Sequence, residues 1–228
     1  MLRVAIIFDN TLRPETTGTY CLRALEELAR EERITSVEHL FPSQLGQSDC
    51  HRFDLCVFID DGLEYELPRV GIPTAWWAID THLAFERCLK KARQADVTFA
   101  AQRNGAEQLR AAGIAHVNWL PLACDPEIHG RREVPHRYDV AFVGTLFPGA
   151  REQFLALLQE HYPRSFLGRA NYRQVGEIYS AAKIVFNRSL RDDINMRVFE
   201  GLCSGALLIT NDLAENGQSE RTRSRVED

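Results

Sequence analysis

The chain has 228 residues, long for one domain and short for two. It carries 27 Lys and Arg against 32 Asp and Glu, a formal net charge of −5. A pI near 5.8 excludes a general nucleic-acid binder, which would show a basic excess. With 45% hydrophobic and 26% charged residues, the composition is that of a soluble globular protein, neither disordered nor fibrous.

No stretch approaches the roughly 20 apolar residues that span a bilayer. The N-terminus, MLRVAIIFDNTLRP, has an apolar run (VAIIF) too short for a signal-peptide core, and no small-residue cleavage site follows. We therefore expect a cytoplasmic protein without a transmembrane segment. Cys21, Cys50, Cys56, Cys88, Cys124 and Cys203 form no CxxC pair and read as thiols in a reducing compartment. The histidines are not spaced to complete a zinc site, and no metal site is expected.

In chain order, residues 3–9 (RVAIIFD) predict a buried strand. A polar loop with Pro14 and Gly18 follows, then a helix over YCLRALEELAREE, with Tyr20, Leu22, Leu25, Leu28 and Ala29 at helical spacing. Thr16, Thr17 or Thr19 could cap it. Strands are expected at 34–41, 54–60, 73–79, 96–101 and 116–122, with helices at 83–94 and 104–112. Strand–helix alternation with continuous apolar strands implies a parallel sheet covered on both faces. Doubly wound sheets of this kind bind ligands at the C-terminal ends of their strands. Asp9–Asn10, Asp60–Asp61, Asp80–Thr81–His82 and Ala101–Gln102 stand at such ends.

The segment 124–139 (CDPEIHGRREVPHRYD) breaks the pattern with Pro126, Gly130, Pro135 and dense charge, and reads as a linker. A second alternation follows: strand 139–145, helix 150–161, strand 165–168, helix 174–182, strand 183–190, helix 195–203 and strand 206–212. The last residues are polar and aperiodic, and a frayed tail is expected. The division is thus 1–124 for a first Rossmann-like domain, 125–137 for a linker, 138–220 for a partial second domain and 221–228 for the tail.

Residues 181–212 read AAKIVFNRSLRDDINMRVFEGLCSGALLITND. This stretch resembles the C-terminal domains of GT-B glycosyltransferases of the group-1 or family-4-like class, nearest to the CgeB-like (spore-maturation protein-like) subgroup. The segment LPLACDPEIH and the strand YDVAFVGT resemble the parts that introduce that second domain. The resemblance implies two Rossmann-like, doubly wound α/β domains, a nucleotide-sugar donor on the second, and an acceptor with catalytic contacts on the first. It also implies sugar transfer to an acceptor hydroxyl in an interdomain cleft, with no metal and no cofactor besides the donor substrate. The family's chain continues past the strand matched by GALLITND. Here NGQSE and RTRSRVED follow, so the second domain is expected to be incomplete. A truncated, non-catalytic nucleotide-sugar-binding or interaction module is the alternative.

A nucleotide sugar needs backbone N–H groups, a helix N-terminus or guanidinium groups for its diphosphate, and a carboxylate for its ribose diol. By the resemblance, Glu200 matches the family's ribose-binding Glu. Asp192 stands where the family has the first Glu of its acidic pair. On the residues alone, Glu200 could instead be an exposed helix carboxylate favoured by the helix dipole. Arg188 and Arg197 could neutralise the diphosphate or lie on the surface. Arg151 is a further candidate, and Gly144 and Thr145 could offer backbone N–H groups. In the first half, Asp80 and His82 could orient or deprotonate a hydroxyl, because a histidine titrates near working pH. Equally, His82 could cap the following helix with Asp80 as a turn residue. Trp76 and Trp77 read as core, since alternate strand positions cannot both face a cleft. Asp60–Asp61 are adjacent and point apart if extended, so they form no Mg²⁺ pair.

Overall fold

The computed structural model describes residues 1–11, 17–45, 50–189, 191 and 193–212. The chain divides into two compact units, Met1–Pro121 and Leu122–Asp228. Each is built on its own parallel sheet.

The first unit contains β1 (Arg3–Ile7), α1 (Thr17–Arg30), β2 (Ser36–Leu40), β3 (Leu55–Ile59), β4 (Thr74–Ala78), α2 (Phe85–Ala92), β5 (Val97–Ala100), α3 (Arg103–Ala111) and β6 (Val117–Trp119). Its six strands run in the order β2-β1-β3-β4-β5-β6, and every pair is parallel. β1 and β4 have continuous apolar sequences because side chains on both faces of the sheet are covered. All five residues of β4 are buried, Trp76 and Trp77 included, as expected of core residues. Trp77 Nε1 donates to the Leu120 carbonyl, so its one polar atom is matched.

The order reverses between β1 and β3. In such sheets this switch point opens the crevice where ligands bind. Asp60 and Asp61, just past β3, organise it. Asp61 accepts from the Asp9 N–H (3.0 Å) and the Leu63 N–H (3.0 Å), tying the β1 and β3 loops together. Asp60 accepts from the Ile79, Asp80 and Gly62 N–H groups and from Arg87. It thereby fixes the end of β4. The two carboxylates serve loop geometry.

Gly18, in the first turn of α1, lies against the buried Phe8 ring; a Cβ there would sit 2.4 Å from a ring carbon. The glycine is a packing residue, and Phe8 cannot yield because it is stacked on His39 at 4.1 Å. Gly18→Ala should cost about 2 kcal/mol, within the usual range for overpacking, despite alanine's better helix propensity. A urea titration would read this as a lower midpoint at unchanged slope.

The second unit contains α4 (Pro126–His129), β7 (Tyr138–Val143), α5 (Ala150–His161), β8 (Phe166–Gly168), α6 (Val175–Ser180), β9 (Ala182–Asn187), α7 (Met196–Cys203) and β10 (Leu207–Thr210). Its four strands run β10-β9-β7-β8, again all parallel. With the strand order β10-β9-β7-β8, the usual right-handed crossover places α5 on the face opposite α6 and α7, and α6 and α7 pack together against β9. α4 joins α6 and α7 on that face. It is a single turn within the segment that reads as a linker, capped by Asp125, whose Oδ1 accepts from the Glu127 N–H. The core of this unit is Ala141, Val175, Tyr179, Ala182 and Val185. No helix among the described residues is long and apolar enough to cross a membrane.

Candidate functional site

The second sheet reverses its order between β7 and β9. The residues leaving these strands are Gly144 and Thr145 after β7, and Arg188 and Ser189 after β9. Switch-point logic alone therefore gathers three of the sequence candidates, Gly144, Thr145 and Arg188, at one edge.

Arg197, in the first turn of α7, reaches across this edge. Its Nε donates to the Val143 carbonyl (2.9 Å) and its Nη1 to Asn187 Oδ1 (2.7 Å). Its guanidinium lies 4.3 Å from the Phe142 ring centre. Nη2 occupies the space beside Gly144, where a Cβ would sit 2.3 Å from it. One side chain thus bridges the ends of β7 and β9. Asn195 supports it twice, capping α7 through the Arg197 N–H and donating to Asn187 Oδ1.

Arg151, in α5, approaches the same edge from the other face. It is buried; its Nε donates to the Arg188 carbonyl (2.8 Å) and its Nη1 to the Thr145 carbonyl (3.2 Å). Burial lowers its pKa, and the charges of Arg197 and Arg188 add to that effect, opposed by Asp193. Arg169, just past β8, donates to Thr145 Oγ1 (3.2 Å). Three guanidinium groups, those of Arg151, Arg169 and Arg197, thus meet at the β7 loop. Among the described residues neither Arg151 nor Arg197 has a carboxylate as a hydrogen-bond acceptor, although the charge of Asp193 acts on Arg151 and Arg197 acts on Glu200. Converging guanidinium groups of this kind suit a polyanion such as a diphosphate.

One detail corrects the sequence reading. The Gly144 N–H is not offered to a ligand. It donates to the Gly168 carbonyl at 2.8 Å, extending the β7–β8 ladder by one rung. What Gly144 supplies is the absence of a side chain, which leaves room for Arg197.

Glu200 follows Arg197 by one turn of α7. Its side chain is only 12% exposed, which overturns the reading as a solvated helix carboxylate. Burial pushes its pKa up to about 7, and the nearby Arg197 charge pulls the other way. Its Oε1 lies 3.6 Å from Nε2 of the fully buried His129. A carboxylate this buried and this sparsely bonded is an acceptor with capacity to spare. Asp192 lies outside the described residues.

Asp80 and His82 belong to the first unit, in the turn that leaves β4. The Asp80 carbonyl accepts from the Leu83 and Ala84 N–H groups, and the Asp80 N–H donates to Asp60. His82 is half-buried in that turn. The α2 helix has Ala84 as its N-cap, and that residue makes no side-chain capping hydrogen bond.

The residues missed from sequence are Arg169, Asn187 and His129. Each stands next to a predicted element: Arg169 after the 165–168 strand, Asn187 within 183–190, and His129 inside the charged 125–137 segment. A basic or amide residue at a strand's C-terminal end was the available signal for the first two.

Comparison with known proteins bears on this geometry. A family model described as glycosyl transferase-like matches residues 128–222. No curated protein sequence matches the chain. Solved structures similar to it include an alpha-glucosyltransferase in complex with UDP and a 13-mer DNA containing a HMU base. That likeness has 10% identity and a TM-score of 0.59, over 92% of this chain and 79% of the other. Anabaena Alr3699/HepE in complex with UDP-glucose is similar at 11% identity and a TM-score of 0.57, over 100% and 89%. Sucrose-phosphate synthase from Thermosynechococcus elongatus is similar at 12% identity and a TM-score of 0.57, over 92% and 81%. With two parallel α/β sheets of six and four described strands, the chain has the GT-B glycosyltransferase fold.

Proposed function

We propose that the protein is a glycosyltransferase of the CgeB-like subgroup that moves a sugar from a nucleotide-sugar donor to an acceptor hydroxyl. The second unit holds the donor. Arg151, Arg169, Arg188 and Arg197 receive the diphosphate, and Glu200 accepts the ribose hydroxyls. Asp192 serves the sugar, and Asp80 and His82 of the first unit serve the acceptor. Charge that builds on the leaving diphosphate is met by guanidinium groups, which makes the transfer independent of a metal ion. Catalysis rests on positioning and on stabilising that leaving group. The six free thiols accord with a reducing compartment such as the cytosol.

One observation carries this reading: guanidinium groups bonded to carbonyl and amide oxygens converge at the switch point, and a buried carboxylate stands one turn along α7 from one of them. Such a pairing suits a ligand that is a polyanion at one end and a diol at the other. The glycosyl transferase-like match over 128–222 covers these residues from His129 to Glu200. Structures of similar fold are described with UDP or UDP-glucose, which makes UDP-glucose the first donor to try.

The test is calorimetric titration of the folded protein with UDP-, GDP- and ADP-sugars, followed by a donor-turnover assay. Binding of one class and release of its nucleoside diphosphate are expected. Failure to bind any of them overturns the proposal. Binding without turnover would identify a nucleotide-sugar-binding module instead.

A further inference from the structure

His129 has no part in the donor site as described so far, yet the fold is built to deliver it there. It closes α4, and its ring is fully buried. The helix packs against α6 at Gly176, where a Cβ would sit 2.2 Å from the Ile128 carbonyl oxygen. That close approach brings His129 up to α7 and leaves Nε2 3.6 Å from Glu200 Oε1.

Nδ1 lies 3.1 Å from both the Asp125 N and the Asp125 carbonyl oxygen, so it accepts from the first in one tautomer and donates to the second in the other. The Asp125 carbonyl, the other group near Nδ1, already accepts from the His129 and Ile128 N–H groups. A neutral ring accepting at Nδ1 carries its proton on Nε2, which faces the carboxylate. Burial lowers the histidine's pKa, which keeps the ring neutral.

We propose that His129 is a positioning residue for ribose recognition: its Nε2, 3.6 Å from Glu200 Oε1 and so beyond hydrogen-bond length, draws that oxygen inward electrostatically and turns the other toward the ribose diol. This rests on the reading of Glu200 given above. Among the described residues, the titratable groups that face Glu200 are His129 from α4, Tyr179 from α6, Cys124 from the segment before α4 and Arg197 on α7 itself. Tyr179 and Cys124 are both pushed upward by burial, so they stay neutral through the neutral range. The carboxyl of Glu200, raised by burial and restrained by the Arg197 charge, is the group among these that changes charge there.

The experiment compares UDP with 2′,3′-dideoxy-UDP, by calorimetry from pH 5.5 to 8.5. It uses the wild type and the His129→Leu, His129→Gln and His129→Asn variants. Wild type should prefer UDP, with the preference growing as pH rises through about 7, where Glu200 ionises. Leu offers no N–H. It should cut the preference about tenfold and move the midpoint of the pH profile upward. Gln places an amide nitrogen where Nε2 stood and should restore both. Asn reaches only the Nδ1 position and should not. A Leu variant with the wild-type preference and midpoint overturns the role of His129. If Leu does not fold, equal behaviour of Gln and Asn overturns it. A wild type that binds both nucleotides equally removes the ribose reading of Glu200, and this proposal with it. A wild-type preference lost in Glu200→Gln but kept in His129→Leu removes the proposal alone.

Discussion

Glu200→Gln should make the protein more stable at pH 8 and a worse donor binder. The carboxyl of Glu200 has a folded-state pKa of about 7, against 4.5 in an unconstrained chain. A carboxyl whose pKa is raised by folding binds protons more tightly in the native state than in the unfolded one. Native stability therefore falls as pH rises between 4.5 and 7. Each unit of difference is worth about 1.4 kcal/mol, so the wild type above pH 7 carries a cost of about 3 kcal/mol for an ionised, buried Glu200. An amide of the same shape removes that cost. Thermal melts should show a higher midpoint for the variant at pH 8 and coinciding midpoints at pH 4. Donor affinity moves the other way. An amide nitrogen cannot accept, and replacing a charged acceptor with a neutral one costs about 1.5–3 kcal/mol, roughly 10- to 100-fold in affinity. A variant less stable than wild type at pH 8 would contradict the burial argument. Unchanged affinity would contradict the ribose assignment.

This opposition between stability and binding explains what could be read from the sequence and what could not. The strands were legible because parallel strands covered on both faces need continuous apolar runs, and RVAII and TAWWA are such runs. Glu200 was legible as a position through the resemblance of 181–212 to a known family, and Arg197 only as a cation close to the same stretch. Their state was not. Whether Glu200 is solvated depends on α4 and α6 closing over α7, and α4 lies in a segment whose Pro, Gly and charge content hides a single helical turn. His129 was invisible for the same reason: a histidine in a charged stretch carries no sequence mark of being fully buried. The N–H of Gly144 looked available because nothing in sequence gives the register of β7 against β8. Once that register is known, the Gly168 carbonyl claims it. Gly18, read from sequence as part of a polar loop, is a packing residue of α1 against Phe8.

Local pattern thus locates elements, while the chemistry of the site comes from what the elements do to each other's charges. Arg151 and Arg197 illustrate this. Each is tied to strand ends by carbonyl and amide acceptors, which fix direction without cancelling charge. A carboxylate in those places would have closed the site to anions. Preorganised, uncancelled donors suit a leaving diphosphate because they need little rearrangement when its charge develops.

Arg197→Ala should separate this electrostatic role from a packing one. The side chain bridges Val143 and Asn187, so its removal takes a donor from the Val143 carbonyl and one of the two donors from Asn187 Oδ1, and should cost about 1–3 kcal/mol of stability. Its larger effect should fall on the diphosphate. At a pH high enough to ionise Glu200 in both proteins, UDP affinity should drop about 10- to 100-fold, the worth of a charge-assisted contact, while uridine affinity stays within about twofold. Calorimetry with both ligands reads the difference. Equal losses for UDP and uridine would show that Arg197 only braces the switch point. A second signature follows from Glu200. The Arg197 charge is what restrains the upward push of burial on that carboxyl. Without it, Glu200 should ionise at higher pH, and the onset of UDP binding should move above its wild-type midpoint. Arg197→Lys keeps the charge but not the planar fork over Phe142. It should recover much of the midpoint and less of the UDP affinity, because the midpoint depends on a nearby charge and the affinity on its fixed direction.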